Sequence, residues 1–231
     1  MIPIPVGDIN PRRTTPVVNY LLITANVAAF VWVYYLAPRP QANEIMVTSL
    51  LVPKDWMNLK TIFTSMFLHA GVLHLLGNML FLWIAGDNVE DRLGHLTYLV
   101  FYLLCGLAGA AAHIVMALGP MSSMAGTPTL GASGAISGVL GAYLVFFPRS
   151  KIKFMIWLIL FIRYFTLPSW GAIGFWIADQ IFMARQQFQG TAQEGQMTVA
   201  VFAHLGGFAF GMLWAILVRM FGKAPARPSR E

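Results

Sequence analysis

The chain has 231 residues, of which 58% are hydrophobic and only 10% are charged, and its formal net charge is +6. A soluble domain carries about 25% charged residues, so this composition excludes an ordinary water-soluble protein and predicts an integral membrane protein. The positive charge reflects a shortage of acids rather than a basic patch with interleaved aromatic residues, which argues against nucleic-acid binding.

Six apolar segments are long enough to cross a bilayer, for which a helix needs roughly 20 residues. In chain order they are residues 17–36, 68–86, 96–118, 129–147, 168–187 and 198–220. They predict an all-α, polytopic membrane protein built as one six-helix domain over residues 17–220. We expect a cytoplasmic N-terminal segment at 1–16 and a cytoplasmic C-terminal tail at 221–231.

Two of the connections carry predictions of their own. Residues 37–67 form the longest connection, where Trp56 and several apolar residues predict helices that lie in the membrane interface. Residues 151–167 are apolar but contain Arg163, and Pro168 follows directly. We therefore expect a re-entrant or interfacial segment there, ahead of the fifth span.

Lysine and arginine residues near the span ends predict the orientation, because cytoplasmic loops carry an excess of them. If the N-terminus is inside, the inner face receives Arg12, Arg13, Arg92, Arg149, Lys151, Lys153, Arg219, Lys223, Arg227 and Arg230. The outer face receives Arg39, Lys54, Lys60 and Arg185. This bias predicts a multi-pass protein of the cell membrane with both termini in the cytoplasm.

The fourth predicted span opens with a serine among small residues, at 131–134. A serine in a helix commonly bonds a backbone carbonyl of its own helix, so Ser133 alone would be a weak candidate for a nucleophile. The residues after it alter that interpretation, because Gly134 and Gly138 lie four apart on one helix face. Faces of small residues allow helix backbones to approach closely in lipid.

The sixth predicted span offers a matching face. Gly207 and Gly211 are again four apart, and His204 lies just before them. If the two glycine faces pack together, His204 comes within hydrogen-bond reach of Ser133, which is the geometry of a nucleophile and its general base. A buried histidine bonded to a carbonyl is the structural alternative, but ionisable side chains are costly inside a membrane and are functional candidates there by default.

His74 and Asn78 of the second predicted span are four residues apart, so they share one helix face. Such side chains are suitable donors to the oxyanion of a tetrahedral intermediate, although an interhelical hydrogen bond would use them equally well. With the predicted orientation, these two residues, Ser133 and His204 lie roughly 5–15 Å below the outer surface, at about 1.5 Å per residue. Four polar groups therefore converge at one depth, where a water-filled cavity open to the outside would reach them.

Four sequence blocks together resemble the rhomboid family of intramembrane serine proteases. They are FLHAGVLHLLGNM at 67–79, GDNVEDRLG at 86–94, GASGAISG at 131–138 and AHLGGF at 203–208. A single GxSG would be a weak signal, whereas all four blocks in this order, each on the expected span, are a specific one. The resemblance implies a six-helix bundle that cleaves the transmembrane segments of membrane proteins near the outer face.

Carried over residue by residue, the resemblance implies that Ser133 is the nucleophile and His204 the base. It implies that His74, Asn78 and the Ser133 backbone N–H form the oxyanion hole, and that neither a cofactor nor a metal takes part. Two features depart from better-known members. Several rhomboids have an aromatic residue packed on the catalytic histidine where this chain has Ser137, and some have a Trp-Arg pair in the first outer loop that is missing from this sequence.

Other chemistries find little support in the sequence. The single cysteine, Cys105, excludes an intramolecular disulfide and a CxxC site, and no HExxH motif for zinc occurs. Asp179 is the only acid within a late span. Its depth is too far inward for a third catalytic member, so we expect it to bond another helix or to face the inner boundary.

The expected partners are single-span or polytopic membrane-protein substrates and the lipid bilayer, without nucleic acid or metal. Two other functions stay open: a catalytically silent rhomboid-like protein that binds membrane clients, and a small transporter or channel. The presence of both Ser133 and His204 argues against the first, and polar residues clustered on the outer side argue against the second. In the protease interpretation, the fifth span and the loop 188–198 are candidate gates, with Gly190 and Gly195 as hinges.

Overall fold

The fold is known from a computed structural model, which describes residues 3–158, 161–189 and 200–222. Most of the expected gate loop at 188–198, including Gly190 and Gly195, lies outside the described residues. So does nearly all of the expected C-terminal tail at 221–231.

Helices account for most of the described chain. They are α1 (Val17–Val31, continued by a π-helical turn at Trp32–Leu36), α2 (Arg39–Thr48), α3 (Leu59–Ser65), α4 (Val72–Leu93), α5 (His95–Leu118), α6 (Ser133–Phe146), α7 (Ser169–Phe188) and α8 (Val201–Phe221). Helices α2 and α3 fall in the long connection 37–67, where the sequence predicted helices.

Four of the described helices are long and apolar enough to cross a membrane, judged by length and composition: Val17–Leu36, Val72–Leu93, His95–Leu118 and Val201–Phe221. They correspond to the first, second, third and sixth predicted spans. The fourth predicted span is the shorter apolar helix α6. The fifth is α7, which has 20 residues but is not among these four, and Asp179 and Gln180 interrupt its apolar run near the middle.

The second predicted span has the wrong bounds. Its helix begins at Val72 rather than 68 and continues to Leu93 rather than 86. The polar residues at 87–91 resemble a loop, but they stay helical because their side chains bond the N-terminal segment of the chain.

A three-stranded antiparallel sheet corrects the expected all-α class. Strand β1 (Ile4–Asp8) pairs with β2 (Lys151–Leu158), and β2 pairs with β3 (Phe161–Pro168). The segment expected to be re-entrant or interfacial is therefore a β-hairpin. Its aromatic and β-branched side chains favour a strand, and each run of eight residues is too short to span a bilayer as a helix.

The contact between α6 and α8 is the closest helix packing in the described chain. A Cβ atom added to Gly207 would come 2.0 Å from the carbonyl oxygen of Gly134, and one added to Gly211 would come 2.0 Å from that of Gly138. On the other side, a Cβ atom on Gly141 would lie 2.4 Å from the Phe208 carbonyl oxygen. The two predicted glycine faces thus meet backbone to backbone.

The N-terminal segment, defined as residues 3–14, is fastened to the far end of α4. Asp91 accepts hydrogen bonds from the backbone N–H groups of Arg13 and Thr14 at 3.1 and 2.8 Å. The guanidinium group of Arg12 lies 3.2 Å from a carboxylate oxygen of Asp87.

A buried carboxylate caps α1 from this same end of α4. Glu90 is fully buried, and it accepts hydrogen bonds from the backbone N–H groups of Val18 and Asn19 at 2.9 and 2.7 Å. The first N–H groups of a helix have no partner within the helix, and a negative charge is favourable near them. Glu90 therefore fixes the start of α1 against α4.

Asp8, at the end of β1, links the sheet to two helices. One carboxylate oxygen accepts hydrogen bonds from the hydroxyl of Tyr143 at 2.5 Å and the amide of Asn88 at 2.9 Å. Burial, together with the smaller effect of the nearby charge of Asp87, raises the pKa of Asp8 from 3.8 to about 6 against the opposing effect of the hydrogen bond from Tyr143.

The glycine contact between α6 and α8 predicts that Gly211→Ala is strongly destabilising. The added methyl group has no space, and overpacking of this kind costs about 1–3 kcal/mol or more. The buried thiol of Cys105 is a built-in reporter, because a thiol reagent reacts with it only as the protein unfolds on heating.

Gly174→Ala in α7 is the matched control, since a Cβ atom there would meet nothing within 4 Å. The control should leave the unfolding temperature unchanged or slightly higher, because alanine favours a helix over glycine. Equal unfolding temperatures for the two variants would contradict the close packing of α6 on α8.

The raised pKa of Asp8 predicts that the difference in stability between the wild type and Asp8→Asn depends on pH. The folded protein binds a proton that the unfolded chain releases, so the contribution of Asp8 to stability is fully present below pH 3.8 and is lost as the pH rises through about 6. Asparagine resembles the protonated acid and should not show this loss.

The unfolding temperatures of the two proteins should therefore be similar near pH 4, and Asp8→Asn should be the more stable near pH 7.5. A difference between them that does not change over this range would show that Asp8 does not take up a proton there.

Candidate active site

Ser133 is the first residue of α6, and the loop before it is held in one conformation. The backbone N–H of Gly131 donates to the carbonyl of Ser65 at 2.9 Å. Gly131 has φ = 122°, a value that residues with side chains rarely adopt, and a Cβ atom there would come 2.9 Å from the ring of His74. Glycine at this position lets the chain turn sharply into α6 beside His74.

His204 lies in the first turn of α8, facing Ser133 across the glycine contact. Its Nε2 atom is 2.7 Å from the Ser133 Oγ atom. The hydroxyl of Ser137, one turn further along α6, donates to the backbone carbonyl of Ser133 at 2.6 Å. Ser137 is thus bonded within its own helix, and it supplies no aromatic support for His204.

Support for His204 comes from α7, through two residues that the sequence analysis missed. The Oε1 atom of Gln180 is 2.7 Å from His204 Nδ1, and the ring of Trp176 lies 6.1 Å from the imidazole, centroid to centroid. The two residues are four apart and so share one face of α7. A glutamine inside a predicted span next to Asp179 was the available signal, because polar side chains are costly in lipid unless they have partners.

Asn78 and His74 of α4 lie on the other side of Ser133. Asn78 is 7% exposed, and among the described residues its side-chain amide nitrogen has no hydrogen-bond acceptor. The Nδ1 atom of His74 accepts a long hydrogen bond, 3.5 Å, from the backbone N–H of Ala70. Burying an amide donor without a hydrogen-bond partner costs free energy. A donor that is held ready for a ligand is expected to be in this state.

All four predicted site residues line one cavity of about 520 Å³. Its wall also includes Leu73, Gly77, Phe81, Pro128, Ile136, Leu140 and Trp176. The cavity therefore brings a serine hydroxyl, an imidazole and a free amide donor to one apolar-walled space between α4, α6, α7 and α8.

A second, more apolar cavity of about 390 Å³ adjoins the first. It shares Phe81, Leu140 and Trp176 with it. It continues towards the sheet, where Phe154 and Phe165 of the hairpin form part of its wall. Together the two cavities follow the space between α4 and α7 from Ser133 to the opposite end of the bundle.

The short length of α6 bears on the depth of Ser133. Its 14 residues span about 21 Å at 1.5 Å per residue, less than the roughly 30 Å of a hydrocarbon core. Ser133 begins this helix, and the far end of α6 leads into the hairpin. If that end lies at one membrane face, Ser133 lies below the other.

Comparisons with known proteins bear on the whole of this region. A family model described as the Rhomboid domain matches residues 56–221. The chain is 32% identical over 197 residues to Rhomboid protein 1, mitochondrial, of Saccharomyces cerevisiae, a match that covers 84% of this chain and 51% of the yeast protein.

Two further relatives match the chain at a similar level of sequence identity. The chain is 32% identical over 134 residues to the Rhomboid protease GluP of Bacillus subtilis, covering 56% of this chain and 24% of that protein. It is 28% identical over 198 residues to the human Presenilin-associated rhomboid-like protein, mitochondrial, covering 84% of this chain and 47% of that one. These matches span about half or less of each relative's length.

Proposed function

The chain belongs to the rhomboid family, which includes intramembrane proteases, and we propose that it is an intramembrane serine endopeptidase that acts through a Ser133–His204 dyad. The observation that carries the proposal is the 2.7 Å approach of His204 Nε2 to Ser133 Oγ, beside a buried amide donor in one cavity. The substrates are the transmembrane segments of single-span or polytopic membrane proteins.

In the proposed reaction, Ser133 Oγ attacks the carbonyl carbon of the scissile peptide bond while His204 Nε2 takes its proton. The carbonyl oxygen becomes an oxyanion. When the C–N bond breaks, His204 returns the proton to the leaving amine, which departs as one product. Water, deprotonated by His204, then attacks the acyl-enzyme and releases the second product with Ser133 regenerated.

The oxyanion would be stabilised by donors from two helices. The Asn78 amide and the His74 ring lie on α4, and the Ser133 backbone N–H begins α6. Backbone N–H groups in the first turn of a helix have no acceptor within the helix and carry a partial positive charge. Such preorganised donors act strongly in a site shielded from water.

The proposed membrane arrangement has six crossing segments. The short α6 lies among α4, α5 and α8, and α7 lies at the margin of the bundle, where large apolar side chains such as Phe175 and Phe182 are exposed. The cations Arg12, Arg13, Arg92, Arg149, Lys151, Lys153 and Arg219 lie at the end of the bundle that carries the sheet. The rule that cytoplasmic loops are richer in lysine and arginine supports a cytoplasmic position for this end and a position near the outer face for the dyad.

Both termini are cytoplasmic in this arrangement, and residues 17–220 form the protease domain. Of the relatives described above, two are named as mitochondrial proteins and one is bacterial. The comparisons therefore do not support the expected location in the cell membrane, which stays a prediction from the sequence.

Cleavage of a single-span substrate in proteoliposomes tests the proposal. Ser133→Ala should reduce cleavage to background, and His204→Ala should lower kcat by about 10²–10⁴-fold, the usual contribution of a general base. A fluorophosphonate probe should label the wild type and fail to label Ser133→Ala.

Ser123→Ala is the matched control, an exposed serine in the loop before α6, and it should retain full activity and labelling. A folded wild type that neither cleaves nor labels would instead favour the catalytically silent, client-binding function.

The unpartnered amide of Asn78 predicts a specific loss in Asn78→Ala. Removing one principal oxyanion donor lowers kcat by about 10²–10³-fold, while KM should change little because the donor acts on charge that develops only in the transition state. The same substitution at Asn43, an exposed residue of α2, should leave both constants unchanged. An Asn78→Ala variant with wild-type kcat would remove Asn78 from the oxyanion hole.

A further inference from the structure

We propose that Gln180, itself oriented by Asp179, is a positioning residue that fixes which nitrogen of His204 carries the proton. This role depends on the proposed protease function, since it concerns the base of that reaction. It extends the dyad by a chain of hydrogen bonds that runs from α7 to α8 and then to α6.

The first contact in the chain is between neighbouring residues of α7. The Nε2 atom of Gln180 donates to a carboxylate oxygen of Asp179 at 3.2 Å. A carboxylate only accepts hydrogen bonds, so the NH₂ group of the amide must face Asp179. The carbonyl oxygen of the same amide must then point the other way, towards His204.

The second contact follows from the first. The amide oxygen of Gln180 lies 2.7 Å from His204 Nδ1, and an amide oxygen can only accept. Nδ1 must therefore carry a hydrogen. In a neutral imidazole only one nitrogen is protonated, so the other nitrogen, Nε2, presents its lone pair.

The third contact is the proposed catalytic one. Nε2 with a free lone pair lies 2.7 Å from the Ser133 hydroxyl, so the hydroxyl must donate to it. This is the arrangement that a general base requires before the attack. The opposite tautomer would direct an N–H at Ser133 and could not take its proton.

Burial makes this arrangement stable. Gln180 is 4% exposed, so its amide has little access to water that could replace a missing partner. Turning the amide over would oppose two oxygens at Asp179 and leave His204 Nδ1 facing a donor. The structure thus uses a neutral amide in the place where other serine proteases use a carboxylate.

Gln180→Leu tests the role, because leucine has a similar volume and offers no acceptor. We expect kcat to fall by about 10–100-fold, part of the usual contribution of a general base, with KM unchanged. Gln180→Glu combined with Asp179→Asn keeps an acceptor for His204 without opposing two carboxylates, and it should recover most of the lost activity, which a defect in packing alone would not allow.

Gln41→Leu is the matched control, the same substitution at an exposed glutamine of α2, and it should behave as the wild type. If Gln180→Leu does not fold, Gln180→Met, which keeps the length and flexibility of the side chain, takes its place. A folded variant of either kind with wild-type kcat would overturn the proposal.

A nitrogen-15 NMR spectrum of histidine-labelled protein provides a readout that needs no activity. The His204 signals are identified by their loss in His204→Ala. We expect a protonated Nδ1 in the wild type and a mixture of both tautomers in Gln180→Leu. An unchanged tautomer in Gln180→Leu would overturn the positioning role, whereas a wild type that never cleaves substrate would overturn only the protease function.

Discussion

The contact between α6 and α8, from which side chains are excluded, is the constraint on which the rest of the site depends. Gly134 and Gly138 lie against Gly207 and Gly211 so closely that any Cβ atom on the α8 pair would overlap a backbone oxygen. Lipid offers no hydrophobic drive for helices to associate, so such packing must supply the attraction itself. Since the serine and the histidine each lie at the start of one of these helices, their separation is set by backbone contact rather than by flexible side chains.

The polarity of α7 has a structural cause. This helix is not among the four that are apolar enough to cross a membrane by length and composition, and Asp179 and Gln180 interrupt its apolar run near the middle. Two of its side chains contact the imidazole: Gln180 bonds the ring nitrogen that faces away from Ser133, and the ring of Trp176 packs beside it. A helix of purely apolar residues would suit lipid better but could not hold the ring in one orientation.

Much of the architecture follows from sequence patterns with a clear physical basis. Long apolar runs predicted the four spans, and glycines four apart predicted which helices approach closely. The family resemblance added the roles proposed for Ser133, His204, His74 and Asn78. The sheet was not predictable in this way, because the hairpin pairs with a strand about 150 residues earlier and a short apolar run reads equally as strand or helix. Gln180 was missed because it lies outside the four sequence blocks that resemble the rhomboid family, although a neutral amide orients an imidazole just as well.

The sheet also has a consequence for the order of assembly during synthesis. Strand β1 is made about 150 residues ahead of its partner, since Ile4 pairs with Met155 and Asp8 with Ile152. At about 5–20 residues per second, a ribosome needs roughly 10–30 s to deliver that partner. Until then β1 has no partner strand, and an unpaired strand edge can pair with another chain. Such exposed edges in incompletely folded chains are one reason that chaperones are needed. Pairing of β1 with β2 therefore waits until α1 to α6 have been made, and it can precede the synthesis of α7 and α8.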